Sequence, residues 1–165
     1  MKTPIDLDAV RPSHAAWLAG ERGGLRADLR EADLRGAKLA GAILTRATLE
    51  GSRLAEATLK GARLEGANLE WANLDGANLE GADLRSANLR SASLRSACLV
   101  RADLRGANLE GACLVDADLT SADLRGANLE GARLYGADLE DANLEGARLK
   151  GARLKDANLK GAHFI

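Results

Sequence analysis

The residues best placed to do chemistry are aspartates that recur every twenty positions. They are Asp83, Asp103 and Asp123, followed two positions later by Arg85, Arg105 and Arg125. Carboxylates that are held close together can chelate a cation, whereas carboxylates beside guanidinium groups form exposed ion pairs worth about 0–1 kcal/mol each. Because an arginine balances each aspartate, we favour a solvated, ion-paired face over a metal site.

The remaining reactive side chains are few and far apart. His14 and His163 lie near opposite ends of the chain, so that no pair of nucleophile and base is expected. Cys98 and Cys113 have no metal-ligand spacing, and we expect two exposed thiols that do not form a disulfide. The sequence therefore favours a protein that is not an enzyme and that uses no metal, cofactor or small-molecule substrate.

Composition narrows the class of protein further. The 165 residues carry 23 Lys and Arg against 24 Asp and Glu, a net charge of −1, which gives no overall attraction to nucleic acid or to an anionic membrane. Aromatic side chains make up only 2% of the chain, too few for an ordinary globular core. The first residues do not resemble a signal peptide, and no apolar run is long enough to span a membrane. These features predict a soluble, cytoplasmic protein.

Leucine recurs at every fifth position, a spacing that fits neither the 3.6-residue period of a helix nor the two-residue period of a strand. Examples are Leu69, Leu74, Leu79 and Leu84. Alanine stands two positions before almost every leucine, as Ala67 and Ala72 show. Each quintet therefore has alanine first, a polar residue second, leucine third, a mostly charged residue fourth and a corner residue fifth. We expect the first and third positions to point inward and the second and fourth to face water.

The fifth position must turn the chain. Glycine occupies fifteen of the twenty-seven corners and can supply the positive φ of a type II turn. The other corners carry larger residues, among them Arg46, Glu56, Trp71, Arg101 and Asp116. Because positive φ is unfavourable for these residues, we expect them to use type I turns, so that the corners would be of mixed type.

The segment GANLEGADLRSANLR, from Gly76 to Arg90, resembles the A(D/N)LXX consensus of the pentapeptide-repeat proteins. The resemblance extends over residues 27–165 and implies an all-β fold, a right-handed quadrilateral parallel β-helix with four quintets per coil. Twenty-eight quintets would then form a solenoid of about seven coils, with stacked positions about 4.8 Å apart. In such a solenoid a column of asparagines at 68, 88, 108 and 128 would hydrogen-bond along the stack.

Residues 1–26 do not follow the quintet pattern and are predicted to form a helical cap over the first coil. Ser13 is the expected N-cap and Gly20 the expected helix stop. The apolar face of the helix would comprise Val10, Trp17, Leu18 and Leu25. For His14 and Trp17 we favour packing within the cap over a ligand site, since a single histidine lacks companion ligands.

The C-terminal coil presents two alternatives of equal weight. Phe164 and Ile165 could form a self-complementary apolar patch that joins two copies of the chain in a homodimer. The basic residues of the last turns could instead keep this end solvated and discourage edge-to-edge association.

A run of acidic residues with no intervening base is the strongest candidate for partner binding. Its members, with one outward aromatic among them, are Glu65, Glu70, Trp71, Asp75, Glu80 and Asp83. We slightly favour an arrangement in which Trp71 lies flat along its corner over neighbouring aliphatic side chains. The alternative is that the indole projects, because an exposed tryptophan surrounded by uncompensated charge is typical of a binding hot spot with an electrostatic rim. The sequence thus favours a rigid scaffold that binds an unidentified protein through its charged faces.

An alternative function comes from the family resemblance. Some pentapeptide-repeat proteins mimic DNA, bind type II topoisomerases such as DNA gyrase and protect them from quinolones. The near-zero net charge and the arginines between Arg85 and Arg105 argue against this function here. Direct binding of nucleic acid is weaker still, since that basic segment lacks aromatic residues for base stacking.

Overall fold

The computed structural model describes residues 7–165, so the first six residues of the predicted cap lie outside the described residues. Side chains are described from Val10 onward. The described chain contains one helix, α1, over Leu7–Leu18. Beyond α1, the chain pairs with itself through isolated parallel β-bridges and forms no longer strand within these residues.

Every bridge joins residues that are twenty apart, which places four quintets in one turn of the solenoid. Each bridge is formed at the second position of a quintet, as between Asn68 and Asn88. On this side of the rod the Leu69 N–H donates to the Asn88 carbonyl at 2.7 Å, and the Asn88 N–H donates to the Ala67 carbonyl at 2.9 Å. The coils are therefore joined by backbone hydrogen bonds that run parallel to the axis, as in a parallel β-helix.

The core consists of the first and third positions of the quintets. The leucines at 69, 74, 79 and 84 are 0% exposed, and the alanines at 67 and 72 are at most 1% exposed. Ser52, the one serine at the first position, is also fully buried, and its hydroxyl has no hydrogen-bond partner among the described residues. Each side of the coil contributes one column of leucine and one column of alanine to the interior. These side chains leave space for neither a pocket nor a polar network.

The prediction of mixed corner types is wrong, because every corner has positive φ. The twelve corner residues other than glycine lie between 51° and 61°, with Trp71 at 56° and Glu56 at 60°. In each turn only the third residue has positive φ, which is the pattern of a type II turn. The preference of these residues for negative φ is therefore overridden, although positive φ costs an L-residue roughly 1–2 kcal/mol.

The ladder between coils explains why the corners are uniform. The corner N–H of Glu56 donates to the carbonyl of Asp75 at 2.9 Å, and that of Gly76, in the next coil, donates to the carbonyl of Arg95 at 2.8 Å. A type I turn at one corner would rotate its peptide groups out of line with the corners above and below. A buried or sheet-paired donor that loses its partner costs about 1–3 kcal/mol, which is comparable with or larger than the cost of positive φ.

The N-terminal segment differs from the expectation in where the helix begins and which residues it buries. Ser13 is not the N-cap, because α1 starts at Leu7 and continues through Pro12 and Ser13. The Leu25 N–H donates to the Ser13 carbonyl and to the Ser13 hydroxyl, each at 3.1 Å. Leu18 is 38% exposed and Leu25 is 70% exposed, so neither completes the predicted apolar face, whereas Val10 does pack on the core.

The end of α1 follows the expectation. Gly20 has φ of 72°, and the Glu21 N–H donates to the Ala16 carbonyl at 2.9 Å, the six-to-one bond of a Schellman motif. The chain then returns so closely over the helix that a side chain at Gly24 would overlap the backbone of Trp17.

His14 connects the helix to the first quintet. The imidazole is 1% exposed, stacks on Trp17 with ring centroids 5.6 Å apart, and accepts the Ala27 N–H at Nδ1 over 3.1 Å. In later quintets the alanine N–H donates to the leucine carbonyl three residues before it, as Ala32 does to Leu29 at 3.1 Å. His14 thus supplies the acceptor that a preceding quintet would supply. Burial is the main cause that lowers the pKa of His14 below its ordinary 6.5, and it outweighs the opposing effect of the Thr45 backbone.

Corner conformation can be tested with a pair of opposite substitutions. Gly126→Ala should lower the free energy of unfolding by about 0.5–1 kcal/mol, because a Cβ at this site meets no atom within 4 Å and only the positive φ of 65° is penalised. Ser121→Gly should raise that free energy by a few tenths of a kcal/mol, since glycine relieves the strain at φ 56° but adds entropy to the unfolded chain. Urea unfolding of both variants measures the two effects. A stabilised Gly126→Ala protein together with a destabilised Ser121→Gly protein would contradict positive φ at the corners.

Candidate interaction surface

The acidic run is distributed around the rod and does not form one patch. Glu65, Glu70, Asp75 and Glu80 occupy the fourth positions of successive quintets, and successive quintets form successive sides of a turn with a twenty-residue period. The four carboxylates therefore lie at four different corners of one turn. A solenoid with five-residue sides does not keep residues that are close in sequence close in space.

The expectation that no base opposes these carboxylates is also wrong. Bases one coil away contact most of them, with 3.3 Å between Glu65 and Arg85 and 3.1 Å between Glu70 and Arg90. Lys60 lies 2.8 Å from Glu80. Asp75 accepts the Ser93 hydroxyl at 2.6 Å and the Arg95 N–H at 3.0 Å. The partner-binding role of the run stays a prediction, and its uncompensated charge can no longer support it.

Trp71 lies at an outward corner, as predicted, and most of its side chain is uncovered. Its side chain is 57% exposed, and its backbone has φ of 56°, an unusual conformation for so large a residue. The corners above and below it in the same column are Gly51 and Ser91, so no large neighbour covers the indole. The ladder bond from the Trp71 N–H to the Arg90 carbonyl, at 3.1 Å, holds the backbone in register.

The fourth positions beside this corner define a surface that we call the Trp71 edge. Its charged members are Glu50, Glu70, Arg90, Glu110 and Glu130. Arg90 lies 3.1 Å from Glu70 and 3.7 Å from Glu110. The four acids and one base between residues 50 and 130 sum to −3, and Arg30 and Lys150, which continue the same column at its two ends, bring the whole column to −1. Glu130 also lies 2.8 Å from Arg148.

The second position has a structural role that the sequence analysis missed. The ladder and the turns use the N–H groups of the first, second, third and fifth positions, and the N–H of the fourth is left over. An aspartate or asparagine at the second position accepts this N–H, as Asn73 Oδ1 does from Asp75 at 2.9 Å and Asn78 Oδ1 from Glu80 at 3.0 Å. The preference for Asp and Asn at that position was the signal, since both residues form such local turns.

The asparagine column behaves as predicted. Asn88 donates through Nδ2 to Asn68 Oδ1 at 3.0 Å, and Asn128 donates to Asn108 Oδ1 at 3.2 Å. Each Oδ1 also accepts the N–H two residues later, as Asn108 does from Glu110 at 3.2 Å. Both the donor and the acceptor atoms of these side chains are therefore already used in hydrogen bonds that stabilise the fold.

The aspartates at 83, 103 and 123 form an ion-paired ladder, as predicted. Asp123 lies 2.6 Å from Arg125 in its own quintet and 3.6 Å from Arg105 in the coil before. The side-chain hydrogen bond from Arg125 is the main cause that lowers the pKa of Asp123, and Arg85 acts on Asp83 in the same way. No cluster of His, Cys, Asp and Glu within residues 7–165 could hold a metal ion.

The two cysteines lie on different sides of the rod, in different bridge columns. Cys113 is 9% exposed, so the expectation of an exposed thiol is wrong for this residue, whereas Cys98 is half-buried. Cys113 bridges to Ser93 and Arg133 in the adjoining coils. Both thiols are free.

Comparison with known proteins identifies the repeat. The family model for pentapeptide repeats matches residues 27–66, 67–106, 102–141 and 137–165. No curated protein matches the chain. Within residues 7–165, no helix has both the length and the apolar character required to cross a membrane.

Solved structures show the same kind of protein. HetL, involved in regulating heterocyst differentiation in the cyanobacterium Nostoc sp. strain PCC 7120, is 43% identical with a TM-score of 0.52, over 84% of this chain and 72% of HetL. A pentapeptide repeat protein of the Arabidopsis thaliana thylakoid lumen is 36% identical with a TM-score of 0.57, over 59% of this chain and 68% of that protein.

A further match is to QnrB1, a plasmid-mediated fluoroquinolone resistance protein. It is 18% identical with a TM-score of 0.42, over 86% of this chain and 88% of QnrB1. A likeness this low carries no argument about the function of the present chain.

The aspartate–arginine ladder predicts a specific dependence of stability on pH. Because the folded pKa of Asp123 lies below its ordinary value of 3.8, the ion pair stabilises the fold fully above that pH and loses its effect as the pH falls below it. Arg125→Gln should therefore reduce the free energy of unfolding most at pH 6, and the difference from wild type should shrink toward pH 2.5. Arg101→Gln, at a corner outside the ladder, is the control and should show no such trend. Urea unfolding across the pH range measures both, and a constant difference for Arg125→Gln would contradict the coupling.

Proposed function

Because the chain belongs to the pentapeptide-repeat family, we propose that it is a non-enzymatic, rigid scaffold that binds a protein partner through the Trp71 edge. A seven-coil, right-handed solenoid in the cytoplasm is part of the same proposal. The supporting bridges include one column of seven residues twenty apart, from Asp28 to Arg148. Proteins of this family are generally interaction modules without catalytic activity.

The observation that carries the proposal is the exposed indole of Trp71. An indole that is 57% exposed contributes nothing to the leucine core, and its corner imposes backbone strain of about 1–2 kcal/mol that glycine would avoid. Tryptophan is enriched among the residues that dominate binding energy at protein interfaces. The small residues Gly51 and Ser91 on either side leave space for a partner to close around the ring.

The acidic rim of this surface is the Trp71 edge and not the sequence run. Of the six residues predicted from the sequence, Trp71 and Glu70 stay in the proposed site. Glu65, Asp75 and Glu80 lie at the other three corners, and Asp83 is held by Arg85 at 2.7 Å. The fitting partner carries an apolar pocket for the indole and basic side chains that face the excess of glutamates.

Removal of the indole tests this role. Trp71→Ala should weaken binding of the partner by about 2 kcal/mol or more, roughly thirtyfold, while the melting temperature stays the same. Tyr135→Ala, which removes the other outward aromatic ring, is the matched control and should bind like wild type. The partner is first isolated by cross-linking and affinity purification from the native host, and the affinities are then measured with the purified partner. Equal binding of Trp71→Ala and wild type, or a lowered melting temperature, would contradict the proposal.

The same experiment tests the alternative function. Recovery of DNA gyrase subunits, followed by protection of supercoiling activity from a quinolone, would favour the DNA-mimicking function over the scaffold. The described surface gives no support to that function, since the aspartates of the ladder are paired with arginines at 2.6–2.7 Å.

We further propose that two copies associate through the last coil. Phe164 is 44% exposed and Ile165 is fully exposed, and the leucines at 149, 154 and 159 are only partly buried. Phe164→Asp should shift the sedimentation of the protein from dimer to monomer, since a charge at an apolar interface is costly. Lys160→Asp, at a solvated position of the same coil, is the control for a general effect of charge. A wild-type protein that sediments as a monomer at high concentration would contradict this association.

A further inference from the structure

A groove near the N-terminal end of the solenoid differs from the rest of the surface in how its charges are paired. We propose that this groove binds the phosphate group of a small phosphate monoester between the guanidinium groups of Arg26 and Arg46. The groove has a volume of about 790 Å³. Its charged lining residues are Arg26, Asp28, Arg30, Arg46 and Glu50.

The two arginines stand on the same corner of adjacent coils, twenty residues apart. Arg26 donates through Nη2 to the hydroxyl of Thr48, at 2.6 Å, and Thr48 is buried in the floor of the groove. Among residues 7–165 the Arg46 side chain forms no hydrogen bond or ion pair. The next residue in this column is Gly66, whose lack of a side chain keeps the groove open below Arg46.

Charge compensation is what distinguishes this pair of arginines. Where arginines stack in the aspartate–arginine ladder, each contacts an aspartate in its own coil, and Arg85 and Arg105 also contact one in the next, as Arg105 does with Asp103 at 2.6 Å and Asp123 at 3.6 Å. No carboxylate contacts the Arg26 or Arg46 side chain within the described residues. Asp28 attracts Arg26 at longer range but is hydrogen-bonded to Arg30, with 2.8 Å from Nε to Oδ1.

A bound oxyanion would supply the missing negative charge. Guanidinium groups match the geometry of phosphate oxygens and form charge-assisted hydrogen bonds with them. Two stacked cations that form no direct ion pair repel each other, so that an anion between them interacts favourably with both. A phosphate group is the simplest ligand that can accept from two guanidinium groups at once.

The groove also contains a free backbone donor. The N–H at the fourth position is normally accepted by an aspartate or asparagine at the second, as Asn68 accepts from Glu70 at 3.2 Å. In the quintet 47–51 the second residue is Thr48, and the Glu50 N–H has no hydrogen bond within the described residues. Glu50 lines the groove and stands at the other end of the quintet 47–51 from Arg46.

The Glu50 carboxylate selects the kind of phosphate. It lines the groove, and Asn68 Nδ2 donates to it at 3.3 Å. A second negative charge on the ligand would face this carboxylate and be repelled, whereas a hydroxyl group could donate to it. The arrangement therefore fits a single phosphate joined to a neutral, hydroxylated group.

Isothermal titration with inorganic phosphate and with glycerol 3-phosphate tests the site. Arg46→Gln should weaken binding of both by about tenfold, the loss expected for one charge-assisted hydrogen bond. Arg101→Gln is the matched control, because Arg101 occupies the same corner position with φ of 55° against 57° for Arg46 and lies outside the groove. Glu50→Gln should tighten binding of inorganic phosphate, and glycerol 3-phosphate should lose its advantage over inorganic phosphate in this variant.

Three outcomes would overturn the proposal. The first is an Arg46→Gln protein, with an unchanged melting temperature, that binds both phosphates as wild type does. The second is an equal loss in Arg101→Gln, which would show a general attraction of anions to the surface. The third is tighter binding of a phosphoserine peptide than of glycerol 3-phosphate, which would assign the groove to a protein ligand and not to a small molecule.

Discussion

The hydrogen-bond ladder between coils is the constraint on which the rest of the molecule depends. In each quintet the N–H groups of the second, third and fifth positions donate to carbonyl groups of an adjacent coil. The N–H of the first position donates within its own turn. Such a ladder closes only if every coil repeats the same peptide orientations. Positive φ at Glu31, Arg46 or Trp71 follows from this requirement and not from the residue at the corner. The leucine and alanine columns then fill the interior that the repeated backbone encloses.

The one N–H that the ladder leaves over determines which surface positions are available for other roles. Where the second position is Asn or Asp, its side chain is occupied by that N–H, and in the asparagine column by the next coil as well. At Thr48 the donor is free and the side chain forms another contact, with Arg26. At Ser93 the Arg95 N–H is instead accepted by Asp75 of the coil before. The six quintets from Ala37 to Gly66 all lack Asn and Asp at this position. The proposed phosphate groove is centred on one of these quintets, 47–51, and it shares Glu50 with the Trp71 edge.

The five-residue period was sufficient to predict the inward columns, the asparagine stack and the ion-paired ladder, because each follows from the side-chain type at a repeated position. The prediction of mixed corner types was wrong because the preference of Glu56 or Asp116 for negative φ is local, while the ladder acts between coils. The acidic run was misjudged since Glu65 and Glu70 are neighbours only along the chain, and their bases stand twenty residues further on. The predicted start of helix α1 is too late in the sequence, because Ser13 has the residue type of an N-cap but lies within the helix. Its hydroxyl instead accepts the N–H of Leu25 in the returning chain.

Because all corners have the same backbone conformation, whole columns of surface residues can be shifted relative to one another. Since one side of the rod takes five residues and one turn takes twenty, insertion of a single quintet would rotate everything after it by a quarter of a revolution without altering the core. The residues that share an edge with Trp71 would then be drawn from a different column, and the arginines of the ladder would meet new neighbours. Gain or loss of whole quintets can in this way bring existing side chains into new combinations, with no substitution at any of them.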